Sequence, residues 1–434
     1  MKVVIMAGGK GTRITSVNSM IPKPMIKILG KPILEHQIEV LKNQKYTDLI
    51  IVIGYLGSVI QEYFGDGSIL SKATGLSFGV NIEYIFEEEP LGTAGALYFL
   101  KDLIDHDFIL LNGDIIFDID LNRFVDFHKK KNCLATIFTH PNDHPFDSGL
   151  VYADEDGRVI KWLHKEDTRQ WYKNRVNAGV HILSNRIFTD NRTKILFSSI
   201  MPLDLDRDIL KILIELNELY CYDSPEYVKD MGTPERLQSV SIDLESGRVH
   251  GSNLMQKQKA VFLDRDGVIN RHIGFLTNID DFELIPNVPE AIKIINNLGY
   301  LAIVISNQPV IARGEVTFDE LNEIHNKMET LLGQEGAYID AIYICPHHPD
   351  KGFEGERVEF KVVCECRKPK PGMIYKAVRE FNIEVKNSWM VGDNIIDIEA
   401  GANAKCRSVL ITNDYSDQYE TYESLYDFTK KLQS

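Results

Sequence analysis

The chain has 434 residues, a formal charge of −15, and 44 % hydrophobic and 26 % charged residues. That length exceeds what one hydrophobic core usually supports, so two domains are expected, and the acidic balance excludes a nucleic-acid backbone as partner. No apolar run reaches the roughly 18 residues of a membrane span, and six cysteines without a framework spacing read as thiols of a reducing cytoplasm. No membrane partner is expected; homo-oligomerisation stays open.

In chain order, short β-branched runs alternate with amphipathic stretches: Val3–Ala7, a helix over Ile33–Asn43, then strands at Leu49–Ile53, Ile82–Phe86 and Phe108–Leu111. This is the rhythm of a mostly parallel α/β sheet. A polar, glycine-containing stretch from Glu245 to Lys259 breaks it, and a fresh strand begins at Ala260–Leu263. Strands at Ala302–Ile305 and Trp389–Val391 and helices at Pro289–Leu298 and Phe318–Leu332 follow. The expected organisation is a domain over 1–245, a linker over 246–258 and a second domain over 259–434.

Directly after the first strand comes Gly8-Gly9-Lys10-Gly11-Thr12-Arg13, with Lys23 inside Pro22-Lys23-Pro24-Met25. Glycines let backbone N–H groups close on phosphate oxygens, and Arg13 and Lys23 can neutralise a triphosphate. A glycine turn alone is equally a structural turn, and neither GxGxxG nor the P-loop pattern matches. With Glu89-Pro90-Leu91-Gly92-Thr93-Ala94-Gly95, Asn112-Gly113-Asp114, Asn177-Ala178-Gly179 and Asp230-Met231-Gly232 following in order, the string resembles the sugar-1-phosphate nucleotidyltransferases. The resemblance implies catalytic Arg13 and Lys23, and Mg²⁺ held by Asp114 and Asp230. It also implies nucleotide contacts from Gly8, Gly9, Gly11, Thr12, Gly92, Gly95 and Asn112. Sugar contacts would come from Gly149, Lys165, Asn177 and Gly179; Lys165 is equally readable as a solvated charge.

In the second half, the strand Ala260–Leu263 delivers Asp264-Arg265-Asp266-Gly267, two acids spaced to pair a nucleophile with a proton carrier. An EF-hand is excluded because Val268 and Phe275 stand where its loop needs ligands. Ser306-Asn307-Gln308, Arg367-Lys368 and Gly392-Asp393-Asn394 complete a resemblance to haloacid dehalogenase phosphatases. It implies Asp264 as nucleophile, Asp266 as acid then base, and phosphate or substrate contacts from Ser306, Asn307, Gln308, Arg367, Lys368 and Asn394. Mg²⁺ would lie at Asp264, Asp266 and Asp393, with Asp397 orienting the site.

Cys345-Pro346-His347 and Cys364-Glu365-Cys366 offer three thiolates and an imidazole, a set suited to structural zinc. A zinc loop placed before Arg367-Lys368 resembles the subgroup containing heptose 1,7-bisphosphate and histidinol phosphatases. The expected fold is therefore α/β with two Rossmann-like domains, a nucleotidyltransferase mixed sheet and a haloacid dehalogenase-like phosphatase. Removing a 7-phosphate would make the heptose 1-phosphate that the first domain consumes. The first domain looks most like heptose 1-phosphate guanylyltransferases, which favours GTP; a hexose enzyme joined to an unrelated phosphatase, or a non-catalytic nucleotide-binding scaffold, are the alternatives.

Overall fold

The computed structural model describes residues 1–9, 21–68, 70, 75, 77–352 and 354–433. It forms two compact units. The first comprises Met1–His140, Val151–Trp162 and Asn177–Asn253, and the second Pro141–Leu150, Leu163–Val176 and Leu254–Ser434. Within 246–258, expected as a linker, a short helix forms at Arg248–Gly251.

The first unit is built on a nine-stranded mixed sheet. At its centre Val3–Met6 pairs in parallel with both Asp48–Ile53 and Phe108–Asn112, and Val176–Leu183 closes antiparallel on the latter. Successive side chains of a strand point to opposite faces, and here both faces are covered. Val3, Ile5, Leu49, Ile51, Ile109 and Leu111 enter one core, whereas Val4, Ile50, Val52, Phe108 and Leu110 enter the other. That double burial explains why these strands read as unbroken apolar runs. The helix Ile33–Asn43 adds Leu34, Ile38 and Leu41, spaced as one helical face, to the first core.

The second unit carries a six-stranded sheet, every adjacent pair parallel, in the order Ala341–Cys345, Leu301–Asn307, Ala260–Leu263, Trp389–Gly392, Arg407–Ile411, Thr421–Tyr422. All four residues of Ala260–Leu263 are fully buried. Val261 and Leu263 pack with Ile292, Ile295 and Phe428 on one face; Ala260 and Phe262 pack with Ile374 and Ala377 on the other. From Ala260–Leu263 the chain passes first to Leu301–Asn307 on one side and later to Trp389–Gly392 on the other. Such a reversal opens a crevice at the carboxyl ends of the strands, the usual ligand position in open α/β sheets. The segment Leu163–Val176 belongs to this unit as well, with Arg175 buried 3.2 Å from Glu329.

In the first unit the turn at Leu91–Gly95 packs backbone against backbone: Leu203 N–H donates to the Leu91 carbonyl and Ala94 N–H to the Leu203 carbonyl, both at 2.9 Å. Gly92 has φ +78°, and a Cβ there would lie 2.4 Å from the Leu203 carbonyl oxygen. Left-handed backbone costs a non-glycine residue about 1–2 kcal/mol before any clash is counted. Gly92→Ala is therefore expected to lower the thermal midpoint of the protein; a variant as stable as the parent would contradict this packing.

Candidate active sites

Three adjacent parallel strands of the first unit end in glycine: Gly8 after Val3–Met6, Gly54 after Asp48–Ile53 and Gly113 after Phe108–Asn112. A Cβ on Gly8 would lie 2.2 Å from Glu87 Oε2, and one on Gly113 would lie 2.8 Å from the Met6 carbonyl. The edge is thus closed to side chains there. A Cβ on Gly9 would meet nothing within 4 Å among the described residues, while Gly11, Thr12 and Arg13 lie outside them.

Lys23 meets the Asp114 carboxylate, and Arg236 grips Asp230 with NH1 at 2.8 and 2.7 Å from its two oxygens. Tyr227–Asp230 pairs antiparallel with Ile115–Asp118, setting Asp230 opposite Ile115, and Met231 N–H donates to the Asp114 carbonyl. The two acids therefore come from neighbouring strand ends, and each meets a cation. Gln37, buried on the helix Ile33–Asn43, braces the Asp114 turn by donating to the carbonyls of Asn112 at 2.9 Å and Ile115 at 2.8 Å.

Asn112 also lies against Gly179, where φ is +74° and a Cβ would stand 2.6 Å from Asn112 Nδ2. Asn177 Oδ1 accepts from Gly179 N–H at 3.3 Å and faces His181 Nε2 at 3.0 Å; Asn177 Nδ2 donates to Asp206 at 3.4 Å. Asp206, not singled out from the sequence, is pushed up to about 6 by burial and by neighbouring Asp204. Gly149 and the exposed Lys165 fall in segments grouped with the second unit, whereas Asn177 and Gly179 are grouped with the first. A Cβ on Gly92 would meet the Leu203 backbone, and one on Gly95 would meet Leu91 and the Met201 carbonyl, so both glycines serve a close loop contact.

Glu87, just after the strand Asn81–Phe86, is 8 % exposed, and its Oε1 has no hydrogen-bond partner among the described residues. Burial pushes its carboxyl up to about 7. Sequence reading missed it because it is the first of three successive glutamates, and only its burial separates it from exposed Glu88 and Glu89.

At the crevice of the second unit, Lys368 Nζ sits between Asp264 Oδ1 at 2.8 Å and Asp397 Oδ1 at 2.7 Å. Burial works against its charge, but the two carboxylates outweigh that and hold the ammonium above its usual pKa. Asp264, Asp393 and Asp397 offer carboxylate oxygens within 4.8 Å of one another. Burial and the like charge of Asp264 raise the Asp393 carboxyl, as expected where acids converge on a place for a cation. Gly267, with φ +87°, makes this approach possible, since a Cβ there would lie 1.9 Å from Asp393 Oδ2. His272 Nδ1 stands 3.4 Å from the same oxygen and was not anticipated.

The Asp266 carboxylate is engaged elsewhere than in that acidic cluster. It accepts from Arg265, from Asn270 Nδ2 at 2.9 Å and from Gln308 Nε2 at 3.0 Å. Burial alone would raise this carboxyl; Arg265, Asn270 and Gln308 prevail and hold it below the usual range. Gln308 Nε2 also donates to Ser306 Oγ at 2.8 Å, while Asn307 clamps the Lys368 backbone through its N–H at 3.0 Å and carbonyl at 3.2 Å. Asn394 caps the helix Ile395–Ala404, with Asp397 returning the contact in a reciprocal capping box.

Cys345, His347, Cys364 and Cys366 converge at the end of the strand Ala341–Cys345. Their sulfurs lie 3.3–3.5 Å apart and His347 Nδ1 is 3.3 Å from Cys366 Sγ, too far for disulfides and close enough to surround one ion. Arg367, next in the chain, donates to the His347 carbonyl at 3.2 Å, tying the cage to the loop that carries Lys368.

Residues 2–247 match the family described as nucleotidyl transferase, and residues 365–428 match the HAD-hydrolase-like family. A D-glycero-beta-D-manno-heptose-1,7-bisphosphate 7-phosphatase of Pasteurella multocida is 40 % identical over 155 residues, 36 % of this chain and 81 % of that protein. A mannose-1-phosphate guanyltransferase of Saccharomyces cerevisiae is 30 % identical over 262 residues, 60 % of this chain and 67 % of that protein. The solved structure of HddC from Yersinia pseudotuberculosis complexed with GMP-PN is 27 % identical, with a TM-score of 0.46, covering 56 % of this chain and 99 % of that one. The chain thus belongs to the nucleotidyl transferase family over its first part and joins to it a phosphatase of the HAD-hydrolase-like, heptose-bisphosphate type, two enzymes in one polypeptide.

Proposed function

We propose that the two enzymes catalyse consecutive steps: removal of the 7-phosphate of D-glycero-D-manno-heptose 1,7-bisphosphate, then reaction of the resulting heptose 1-phosphate with GTP to give GDP-D-glycero-D-manno-heptose and pyrophosphate. The observation that carries the reading is the Asp264–Lys368 contact at the strand end beside Asp393, in a chain similar both to a heptose-bisphosphate phosphatase and to mannose-1-phosphate guanyltransferases. The latter also favour a second reading in which the acceptor is a hexose 1-phosphate. Assaying a panel of sugar phosphates separates the two.

In the phosphatase, an Asp264 oxygen attacks phosphorus and the bond to the sugar oxygen breaks; Asp266, ionised against Arg265 in the resting enzyme, takes up a proton as the substrate's negative charge arrives and gives it to that oxygen. Water then attacks the aspartyl phosphate, Asp266 takes its proton, and phosphate leaves. Lys368 and Ser306 hold the phosphoryl oxygens, Arg367 and Asn307 support the loop, and Gln308 and Asn394 complete the surroundings. The hard oxygen donors of Asp264 and Asp393 fit Mg²⁺, and in the first unit Asp114 and Asp230 are the carboxylates that would hold it. When bound there, the ion supplies positive charge that screens phosphate from carboxylate. In the transferase the sugar phosphate oxygen displaces pyrophosphate at the α-phosphorus, with Lys23 and Arg13 neutralising charge and positioning doing the rest. Gly8, Gly9, Gly11 and Thr12 line the phosphates, Asn112, Gly92 and Gly95 flank the nucleoside, and Asn177, Gly179, Gly149 and Lys165 face the sugar.

The two activities are expected to separate. Asp264→Asn should abolish phosphate release while leaving transfer to a ready-made heptose 1-phosphate intact; loss of both in a folded variant would contradict the modular reading. One zinc per chain is expected in the cage of Cys345, His347, Cys364 and Cys366, in a structural role because four ligands leave no open position. Elemental analysis of purified protein checks it, and a folded, fully active, zinc-free chain would remove it.

We infer that base choice rests on Glu87, a buried carboxyl at the same strand edge as Gly8. An ionised carboxylate only accepts hydrogen bonds, and guanine alone among the bases presents two adjacent donors, N1–H and the N2 amine, on its pairing edge. Because burial sets the Glu87 carboxyl to about 7, its accepting form grows as pH rises from 6 to 8, so KM for GTP should fall over that range. Glu87→Gln should reduce the preference for GTP over ATP about 10- to 100-fold, the worth of one or two buried hydrogen bonds. Competition among the four nucleoside triphosphates measures this, and an unchanged preference would sink the role of Glu87.

A further inference from the structure

Arg265 lies between the two aspartates of the phosphatase motif and is among the largest fully buried side chains of the protein. A buried guanidinium is tolerated only when its donors are met. Its Nε donates to Asp266 Oδ1 at 3.2 Å, and its NH2 donates to both Asp266 oxygens at 2.9 and 2.8 Å and to Gln308 Oε1 at 3.3 Å. The other end of the fork, NH1, meets His325 Nε2 at 3.4 Å.

His325 is buried on the helix Phe318–Gln334, 60 residues away in sequence. Because Arg265 has only donors, Nε2 faces it as an acceptor, which requires the neutral imidazole with its proton on Nδ1. Burial and the neighbouring guanidinium enforce that state, pushing the ring down to about 3. The guanidinium plane is therefore fixed at two ends, by His325 on a core helix and by Asp266 at the crevice.

We propose that His325 and Arg265 are positioning residues for the phosphatase reaction: the helix-borne imidazole orients the guanidinium, and the guanidinium sets the Asp266 carboxyl toward the leaving-group oxygen. This rests on the reading of Asp266 as the acid that protonates that oxygen. Asn270 and Gln308 also hold Asp266, but Arg265 is its charged partner in the ion pair at 2.8 Å. A carboxyl displaced by a fraction of an ångström still leaves attack by Asp264 possible and impairs only the proton transfer. The consequence is a defect that depends on the leaving group. A sugar alkoxide needs the proton, whereas p-nitrophenolate leaves without it.

The test compares heptose 1,7-bisphosphate with p-nitrophenyl phosphate on the full chain. Asp266→Asn comes first and should lower turnover of the sugar phosphate roughly 100-fold or more with a far smaller loss on the aryl ester. Equal losses there would refute the acid role itself and with it the inference. His325→Asn, whose amide is too short to meet NH1, should lower kcat on the sugar phosphate about 10- to 100-fold and alter hydrolysis of the aryl ester by no more than about threefold. His325→Gln, whose amide oxygen reaches the place of Nε2, should restore most of the sugar phosphate activity. A selective defect in Asp266→Asn without one in His325→Asn, or equal loss of both substrates in His325→Asn and His325→Gln, overturns the positioning role while leaving the acid reading in place.

Discussion

A parallel sheet covered on both faces leaves polar side chains one place to gather, the carboxyl edge where the strands stop. Both units obey this constraint. The strands Val3–Met6 and Ala260–Leu263 are buried and apolar, and the residues that follow them turn at once to glycines in one case and to acids in the other. The acids and the hydroxyl assigned to chemistry, Asp114, Asp264, Ser306 and Asp393, hang on strand ends that the cores hold in register.

Charge is then balanced locally. In the phosphatase unit Lys368 is buried between Asp264 and Asp397, and removing the lysine would leave two carboxylates without their counter-charge, a change of the kind typically worth about 3–5 kcal/mol. In the transferase unit Asp114 meets Lys23 and Asp230 meets Arg236, in partly exposed positions. There the same substitution would cost far less stability, so loss of activity and loss of fold are easier to tell apart in the first unit than in the second.

Much of this was legible in the sequence. The strands at Ala260–Leu263 and Phe108–Asn112 and the helix at Ile33–Asn43 follow from apolar runs and helical spacing, which need only burial to form. Motifs anchored to strand ends were legible for the same reason, because the end of an apolar run fixes where the next residue lies. Contacts that depend on side-chain direction were not. Nothing in the order Asp264-Arg265-Asp266 says that Arg265 is fully buried and binds its neighbour, and nothing distinguishes Glu87 from the two glutamates after it. The membership of Leu163–Val176 in the second unit was equally hidden, since spatial grouping leaves no local pattern.

Asp397 performs two tasks that make different demands. As the third residue of a capping box it returns a hydrogen bond to the Asn394 backbone, and as a charge it neutralises Lys368. Any of several residues could do the first: glutamate or glutamine serve that position in most helices. Only an acid of this length can do both at once in a fully buried place. Over evolutionary time the two positions should therefore drift differently. As far as its helix is concerned, Asn394 can wander among serine, threonine and aspartate, while position 397 has almost nowhere to go, and lineages that lose the phosphatase activity should show it first as a relaxation there.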